Sequence, residues 1–515
     1  MPTQPFDSTQ YRFWRNFTVI AGGITLFPLF FYPLNSDTSA LQWVAYQFQR
    51  FGKIPYIGTW EPNFPGVLPF HLLSVALFNR SEIGFRLIEV VFQLTTALFF
   101  YKLLLRWLSA PLSFFACLFY LLTYMHGNVT FYGQRDAFAT GLFTIATYLY
   151  YSRPSSKWST FFSGAIMGWA VLIRPLYIIL PLTLILFSLN KHERKNAILL
   201  LSALTIPFLS SILFYLITGS IKDYYVTTIL FLGKVYTAVP TQDWKSFFVA
   251  LYWYWPIVVF PAIALLGYQL NLTSSVRQVL RQRKLLMLYV LMIIEVTGII
   301  WIQHRFLAYH FALLLVLLSP LAALGVGQLL HFIRSTKLKI ASASALMLAL
   351  LVGFTPFLSV TKYVVSGRWH TMGYNGLNLV GDEKLRLQDD SVINYLAQPN
   401  NNTGIVEICS YDARLRWRLD REEATRFCEF QAVTARDANG SHPDFQQKWQ
   451  KEFLNDVLKK PATFILLNGQ TKFWTYLPPR EGIQTDFPAL DSLLRTDYVK
   501  DTVIGEYAIF RKRLS

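Results

Sequence analysis

Residues 35–69 read NSDTSALQWVAYQFQRFGKIPYIGTWEPNFPGVLP and follow the first long apolar run of the chain. Asp37 therefore stands at the mouth of a membrane span. Behind it, Leu41, Val44, Ala45, Phe48 and Phe51 recur at helical spacing, with Gln42, Gln47, Gln49 and Arg50 filling most of the remainder. That is the pattern of a helix lying along a bilayer surface. A carboxylate held at such a boundary is partly desolvated, which suits a general base. The competing local reading is a cap, with Ser36 or Asp37 starting the surface helix.

The surrounding chain places this stretch. Its 515 residues are 53% hydrophobic and 17% aromatic, and its mean hydropathy is positive, which excludes an ordinary soluble globule and predicts a mainly α, polytopic helical membrane protein. The net charge of +17 does not point to nucleic acid, because Lys and Arg cluster in short segments between apolar runs, where they encode orientation. Arg12 and Arg15 precede a span with no A-x-A-like exit, so that span reads as an anchor. Apolar runs begin near Phe17, Gly84, Pro111, Asp136, Ser159, Pro175, Ala197, Phe247, Leu285, Phe306 and Ile340, about eleven spans by length. Alternate connections carry Arg12 and Arg15, Lys102 and Arg106, Arg153 and Lys157, Lys191 to Lys195, Arg277 to Lys284, and Arg334 to Lys339. That basic side is expected to be the cytoplasm, with the N-terminus inside.

The opposite side then holds residues 35–69, 127–135, the Arg174 turn, 219–245 and 303–305. From about Thr361 the composition turns polar, so the chain divides into a membrane part, 1–360, and a small α/β extracytoplasmic domain, 361–515. In the latter, 404–409, 463–467 and 505–511 read as strands and 391–397 and 445–458 as helices, after a linker following Ser366. Cys117 lies in an apolar run; Cys409 and Cys428 are able to pair in an oxidising compartment.

Ionisable residues costly in lipid are Asp37, Glu82, Arg86, Glu89, Arg135, Asp136, Arg174, Glu295, Arg305 and His310. On this topology each falls at or near the outward end of its span, which predicts one outward-facing polar cavity. Glu82, Arg86 and Glu89 share a helical face, so mutual pairing is the structural alternative for them. Acids and arginines at one membrane face suit transfer of a sugar from a polyprenyl phosphate. The phosphate departs as an anion, so one base and some cations suffice, without the two carboxylates of ordinary glycoside hydrolysis. Asp37 would take the acceptor proton, and Arg135, Arg174 or Arg305 would stabilise the departing phosphate. Bland readings stand beside these: Arg305 as a snorkelling anchor, His310 as a satisfied core histidine, Lys234 and Tyr236 as interfacial residues rather than donor contacts, and Trp253 and Trp255 as aromatic-belt anchors.

Asp37 after the first span, Pro65-Gly66 before a short apolar helix and Phe85-Arg86-Leu87 opening the second long span resemble the N-terminal third of the GT-C glycosyltransferase superfamily. Within it the likeness is to the protein O-mannosyltransferase and aminoarabinose transferase branch. GQRDAFATGLF from Gly133 and IQHRFLAYHFALLLVLLSPLAAL from Ile302 resemble stretches of its bacterial members. The resemblance implies Asp37 as base and Asp136 as a second acid, with Gln303, His304, Arg305, Tyr309 and His310 as contacts to donor phosphate or sugar. It also implies a lipid-linked sugar donor, membrane lipids and a glycan, lipid or protein acceptor as partners, a bacterial inner membrane as location, and a divalent metal as a possible cofactor, with Asp37 and Asp136 its candidate ligands. One departure is Asp37-Thr38, where the mannosyltransferases have an Asp-Glu pair, which weighs against a mannose site and a protein acceptor. The rival expectation from residues alone is a secondary transporter or flippase, although no internal repeat is visible.

Overall fold

A computed structural model describes residues 8–127, 131–153, 156–187, 194–238, 242–269, 283–333, 335–354, 380–419, 421–469 and 481–513. All eleven apolar runs contain helix. The first nine helices are α1 (Ser8–Leu26), α2 (Ser36–Phe51), α3 (Leu68–Phe78), α4 (Glu82–Leu104), α5 (Ala110–His126), α6 (Arg135–Ser152), α7 (Lys157–Ile173), α8 (Ile179–Phe187) and α9 (Arg194–Ile217). Beyond them come Trp244–Trp253, Trp255–Gln269, Arg283–Gln303, Ala312–His331 and Thr336–Phe354. Among the described residues four helices are long and apolar enough to cross a membrane, or up to six if each of two bent pairs is one span, and Pro65–Phe78, Ala110–His126 and Pro175–Phe187 are shorter apolar helices. The proposed linker after Ser366, the boundary at 360 and most of the basic 277–284 segment lie outside the described residues.

The turn that carries Asp37 follows from its sequence. Pro28 opens a tight turn over Phe27–Phe31, and Asn35 then caps α2, its side chain accepting from the Thr38 N–H at 2.9 Å. The cap is thus Asn35, not Ser36 or Asp37. α2 leaves α1 at 81° and stops where Gly52 adopts φ +65°, a conformation in which glycine carries no Cβ penalty. α2 is helical, as its spacing predicts, but it lacks the exposure expected of a helix lying along a surface. Thr38 through Gln47 are buried, and Gln42 is only 1% exposed, because α3 and the later helix Arg414–Leu419 pack over α2.

Close helix contacts hold the bundle. A Cβ on Gly164 or Gly168 of α7 would strike the Leu200 or Leu204 carbonyl of α9, and one on Gly325 would strike that of Phe260. Small residues at such crossings let backbones approach, which drives packing where lipid removes the hydrophobic term.

The C-terminal region carries a sheet of order β1-β2-β4-β3, formed by β1 (Val406–Cys409), β2 (Phe464–Asn468), β3 (Tyr498–Ile504) and β4 (Tyr507–Lys512). β1 and β2 are parallel, whereas β4 runs antiparallel to β2 and β3. Alternate side chains of the two central strands serve opposite faces. Ile465 and Leu467 join Trp449 and Phe453 on one face, while Phe464 and Leu466 join Val392 and Leu396 on the other. Trp60 from the loop after α2 enters the first of these cores. Its backbone N–H donates to the Arg426 carbonyl at 2.8 Å, and its carbonyl accepts from the Cys428 thiol at 2.7 Å. Cys409 and Cys428 are both free and buried, so the pairing suggested by the sequence is not formed; Cys428 bonds to Trp60 instead.

Candidate active site

Asp37 lies in the first turn of α2 and Asp136 in the first turn of α6, the helix ends whose dipoles favour anions. Gln134 joins the two turns: its Nε2 donates to Asp37 Oδ2 at 3.1 Å. Asp136 is gripped by Arg174, whose Nε and Nη2 both reach Oδ1, at 2.6 and 2.5 Å. Arg174 is available there because Pro175 forces the residue before it out of helical geometry, ending α7 with Arg174 extended. Asp136 Oδ2 and Arg135 Nε are buried and have no hydrogen-bond partner among the described residues.

The late membrane stretch closes the other side. Arg305 is 7% exposed; its guanidinium lies 3.8 Å from the centre of the Tyr236 ring and donates to the Tyr236 carbonyl. The Arg305 carbonyl bonds to His310 Nδ1 at 2.5 Å. Tyr309 sits within electrostatic range of Asp37, Arg135, Asp136 and Tyr236. Asp37, Arg135, Asp136, Arg174, Arg305, Tyr309 and His310 thus gather in one region. Gln303 and His304 are not brought into it. Gln303 spends its amide on the Ile299 carbonyl, 3.2 Å away in its own helix, and His304 is exposed and packs on Trp301 and Phe306. Tyr236 is in contact as a shelf for Arg305, whereas Trp253 and Trp255 are exposed, as anchors would be.

Three further groups escaped the sequence reading. Glu61 is buried in the loop after α2, where it accepts from the Asn63 N–H at 2.9 Å. Glu429 and Tyr411, from the C-terminal region, come within electrostatic range of Asp37. Burial pushes the Glu61 carboxyl up to about 7, with the Asn63 N–H and Arg135 opposing and Asp37 adding to the rise. Glu429 is pushed well above the carboxylate range by burial first, then by Glu61 and Asp37. Glu61 lies in the loop that follows the helix of Asp37, and that was a usable signal. Glu429 had none, since it lies hundreds of residues from Asp37 in sequence. Asp37 and Asp136, the proposed metal ligands, bond to Gln134 and Arg174. Among the described residues no group of three or more His, Cys, Asp or Glu is gathered to hold a metal ion.

Residues 65–221 match the family model for dolichyl-phosphate-mannose-protein mannosyltransferase. No curated protein matches the chain in a sequence comparison. The fold is similar to that of ArnT from Cupriavidus metallidurans in the apo state, with TM-score 0.61 and 13% identity over 96% of each chain. The same protein bound to undecaprenyl phosphate gives TM-score 0.59 at 13% identity, covering 96% of this chain and 97% of ArnT. The Archaeoglobus fulgidus oligosaccharyltransferase tethered with an acceptor peptide gives 0.51 at 13% identity, over 88% of this chain and 69% of that one. Among the described residues four helices, or up to six, are long and apolar enough to cross a membrane, and over nearly its whole length the chain has a fold similar to that of ArnT.

Proposed function

We propose that this protein transfers one sugar from a polyprenyl-phosphate donor to an acceptor at the extracytoplasmic face of the membrane. The observation that carries this reading is the gathering of acids and cations: Asp37 held by Gln134, beside Arg135, Arg174 and Arg305, with Asp136 Oδ2 and Arg135 Nε buried and unpartnered among the described residues. An anionic phosphate oxygen would satisfy the Arg135 N–H, and a sugar hydroxyl would donate to Asp136 Oδ2. ArnT bound to undecaprenyl phosphate and the dolichyl-phosphate-mannose family match support a polyprenyl phosphate as that ligand.

In the proposed step, Asp37 accepts the proton of the acceptor hydroxyl while its oxygen attacks the anomeric carbon. The bond from that carbon to the phosphate oxygen breaks, and the phosphate leaves with the electron pair toward Arg135 and Arg305. Arg174 neutralises Asp136 and leaves one carboxylate oxygen for the sugar. Direct displacement inverts the anomeric centre, and Asp37 returns its proton to water. The eleven-span topology, with the N-terminus inside and residues 361–515 as an outward domain, belongs to the same proposal and puts the donor lipid and this site in one leaflet.

The test is transfer by purified protein in nanodiscs, supplied with polyprenyl-phosphate sugars and a membrane extract. Product formed by wild type and absent with Asp37→Asn supports the reading. Movement of the labelled lipid across the bilayer without a new product would replace transfer by transport.

A further inference from the structure

Arg86 and Glu89 lie one turn apart on the inner face of α4, both fully buried, and neither belongs to the step above. Arg86 Nη1 meets Glu89 Oε2 at 2.5 Å. The rest of Arg86 is directed at the backbone that leads into α2: Nε donates to the Tyr32 carbonyl at 3.2 Å and Nη2 to that of Pro33. The rest of Glu89 is directed at the loop that leads into α6: Oε1 accepts from the Gly133 N–H at 2.7 Å and from the Tyr124 hydroxyl of α5. One ion pair therefore pins, at its two ends, the two segments that present Asp37 and Gln134-Arg135-Asp136.

Those segments are also laced together directly. Asn35 Nδ2 donates to the Tyr132 carbonyl at 2.9 Å, Thr38 Oγ1 donates to that of Gly133 at 3.4 Å, and Gln134 reaches Asp37. Gly133 has φ +72°, and a Cβ there would stand 2.8 Å from Phe85 and 3.3 Å from Arg86 Nη1, so the loop passes directly against the ion pair. A pair needed only to glue helices would bond side chain to side chain. This one uses four of its bonds on two loop backbones and one neighbouring helix.

We propose that Arg86 and Glu89 are positioning residues, which set the distance between Asp37 and the Gln134–Asp136 turn and so hold the base against the donor site. The proposal rests on the transferase reading. Its physical basis is preorganisation: two fully satisfied buried groups resist the sub-ångström drift that a proton transfer does not tolerate.

The experiment uses the full-length protein in nanodiscs, with amide hydrogen exchange and steady-state transfer measured on wild type, Glu89→Gln and Tyr124→Phe. Glu89→Gln is expected to speed exchange in segments 32–38 and 131–137 together, by about tenfold. It is also expected to lower kcat by about 10²-fold, with donor KM within about twofold of wild type. Tyr124→Phe, which keeps the ion pair and the fold, shifts both readings in the same direction by less. Combining Glu89→Gln with Gln134→Ala should lower kcat no further than the worse single change, because both act through one contact. Unchanged exchange in the two segments, or additive losses in kcat, overturns the proposal, as does a loss of donor binding equal to the loss of turnover. Exchange is read without turnover, so a wild-type protein that transfers nothing refutes the transferase reading while the coupling of the two loops is still decided.

Discussion

Removing Arg174 exposes the electrostatics of the site more sharply than removing any acid. Asp136 is 1% exposed at its side chain and Arg174 15%, so the carboxylate depends on the guanidinium while the guanidinium has a route to solvent. Arg174→Ala leaves a buried carboxylate whose other oxygen is already unpartnered, and breaking a buried pair from one side costs about 3–5 kcal/mol. Adding Asp136→Asn removes the charge and leaves only an imperfectly bonded amide, a cost of about 1–3 kcal/mol. The double variant should therefore be more stable than Arg174→Ala, by about 2 kcal/mol. The assay is the thermal unfolding midpoint in one detergent, followed by tryptophan fluorescence for wild type, both single variants and the double. A double variant that melts at or below Arg174→Ala, or single effects that simply add, would refute the reasoning and leave Arg174 as a surface anchor.

Three further outcomes are expected. Asp37→Asn should lower transfer by about 10²–10⁴-fold with donor binding and melting retained, as measured by product formation and lipid titration. Arg305→Ala should weaken donor binding by about tenfold or more, since a charge-assisted bond to phosphate is worth about 1.5–3 kcal/mol; an unchanged titration would restore the snorkelling reading. Glu61 carries a pH signature: its folded value lies above the ordinary carboxylate value, so its contribution to stability is complete below the unfolded value, near 4.5, and is lost as pH rises through about 7. Midpoints measured from pH 5 to 8 should fall for wild type, and Glu61→Gln should flatten that fall and melt higher at the alkaline end.

The helices were legible because hydropathy is a local signal, and each of the eleven runs needs only its own residues to announce itself. The helix α2 was legible for the same reason, through the spacing of Leu41, Val44 and Phe48. Its burial was not, since α2 is covered by α3 and by the helix Arg414–Leu419, which arrives hundreds of residues later. Asp37, Arg135, Asp136, Arg174 and Arg305 were legible because ionisable residues at the ends of apolar runs are costly and stand out in the sequence. Gln303 and His304 lie apart from that cluster because adjacency to Arg305 in sequence does not fix geometry at a helix end, where His304 turns to φ +46°. β3 was missed because an edge strand with solvated alternate residues lacks the hydrophobic run of β1 or β2. The pairing of Arg86 with Glu89 was expected from their spacing, but their grip on the loops was not, since it depends on where Tyr32 and Gly133 lie in space.

The contact of Trp60 with Arg426 and Cys428 also has a consequence for the order in which the molecule is made. A ribosome reaches Asp37, Arg135, Asp136, Arg174 and Arg305 well before Tyr411 and Glu429, and the early residues wait with one wall missing. Until the late segment arrives, Trp60 lacks the Trp449 ring, the Arg426 carbonyl and the Cys428 thiol as partners. The wall that Tyr411 and Glu429 supply near Asp37 is thus acquired last, and a nascent chain that carries every group of the proposed chemical step still lacks it.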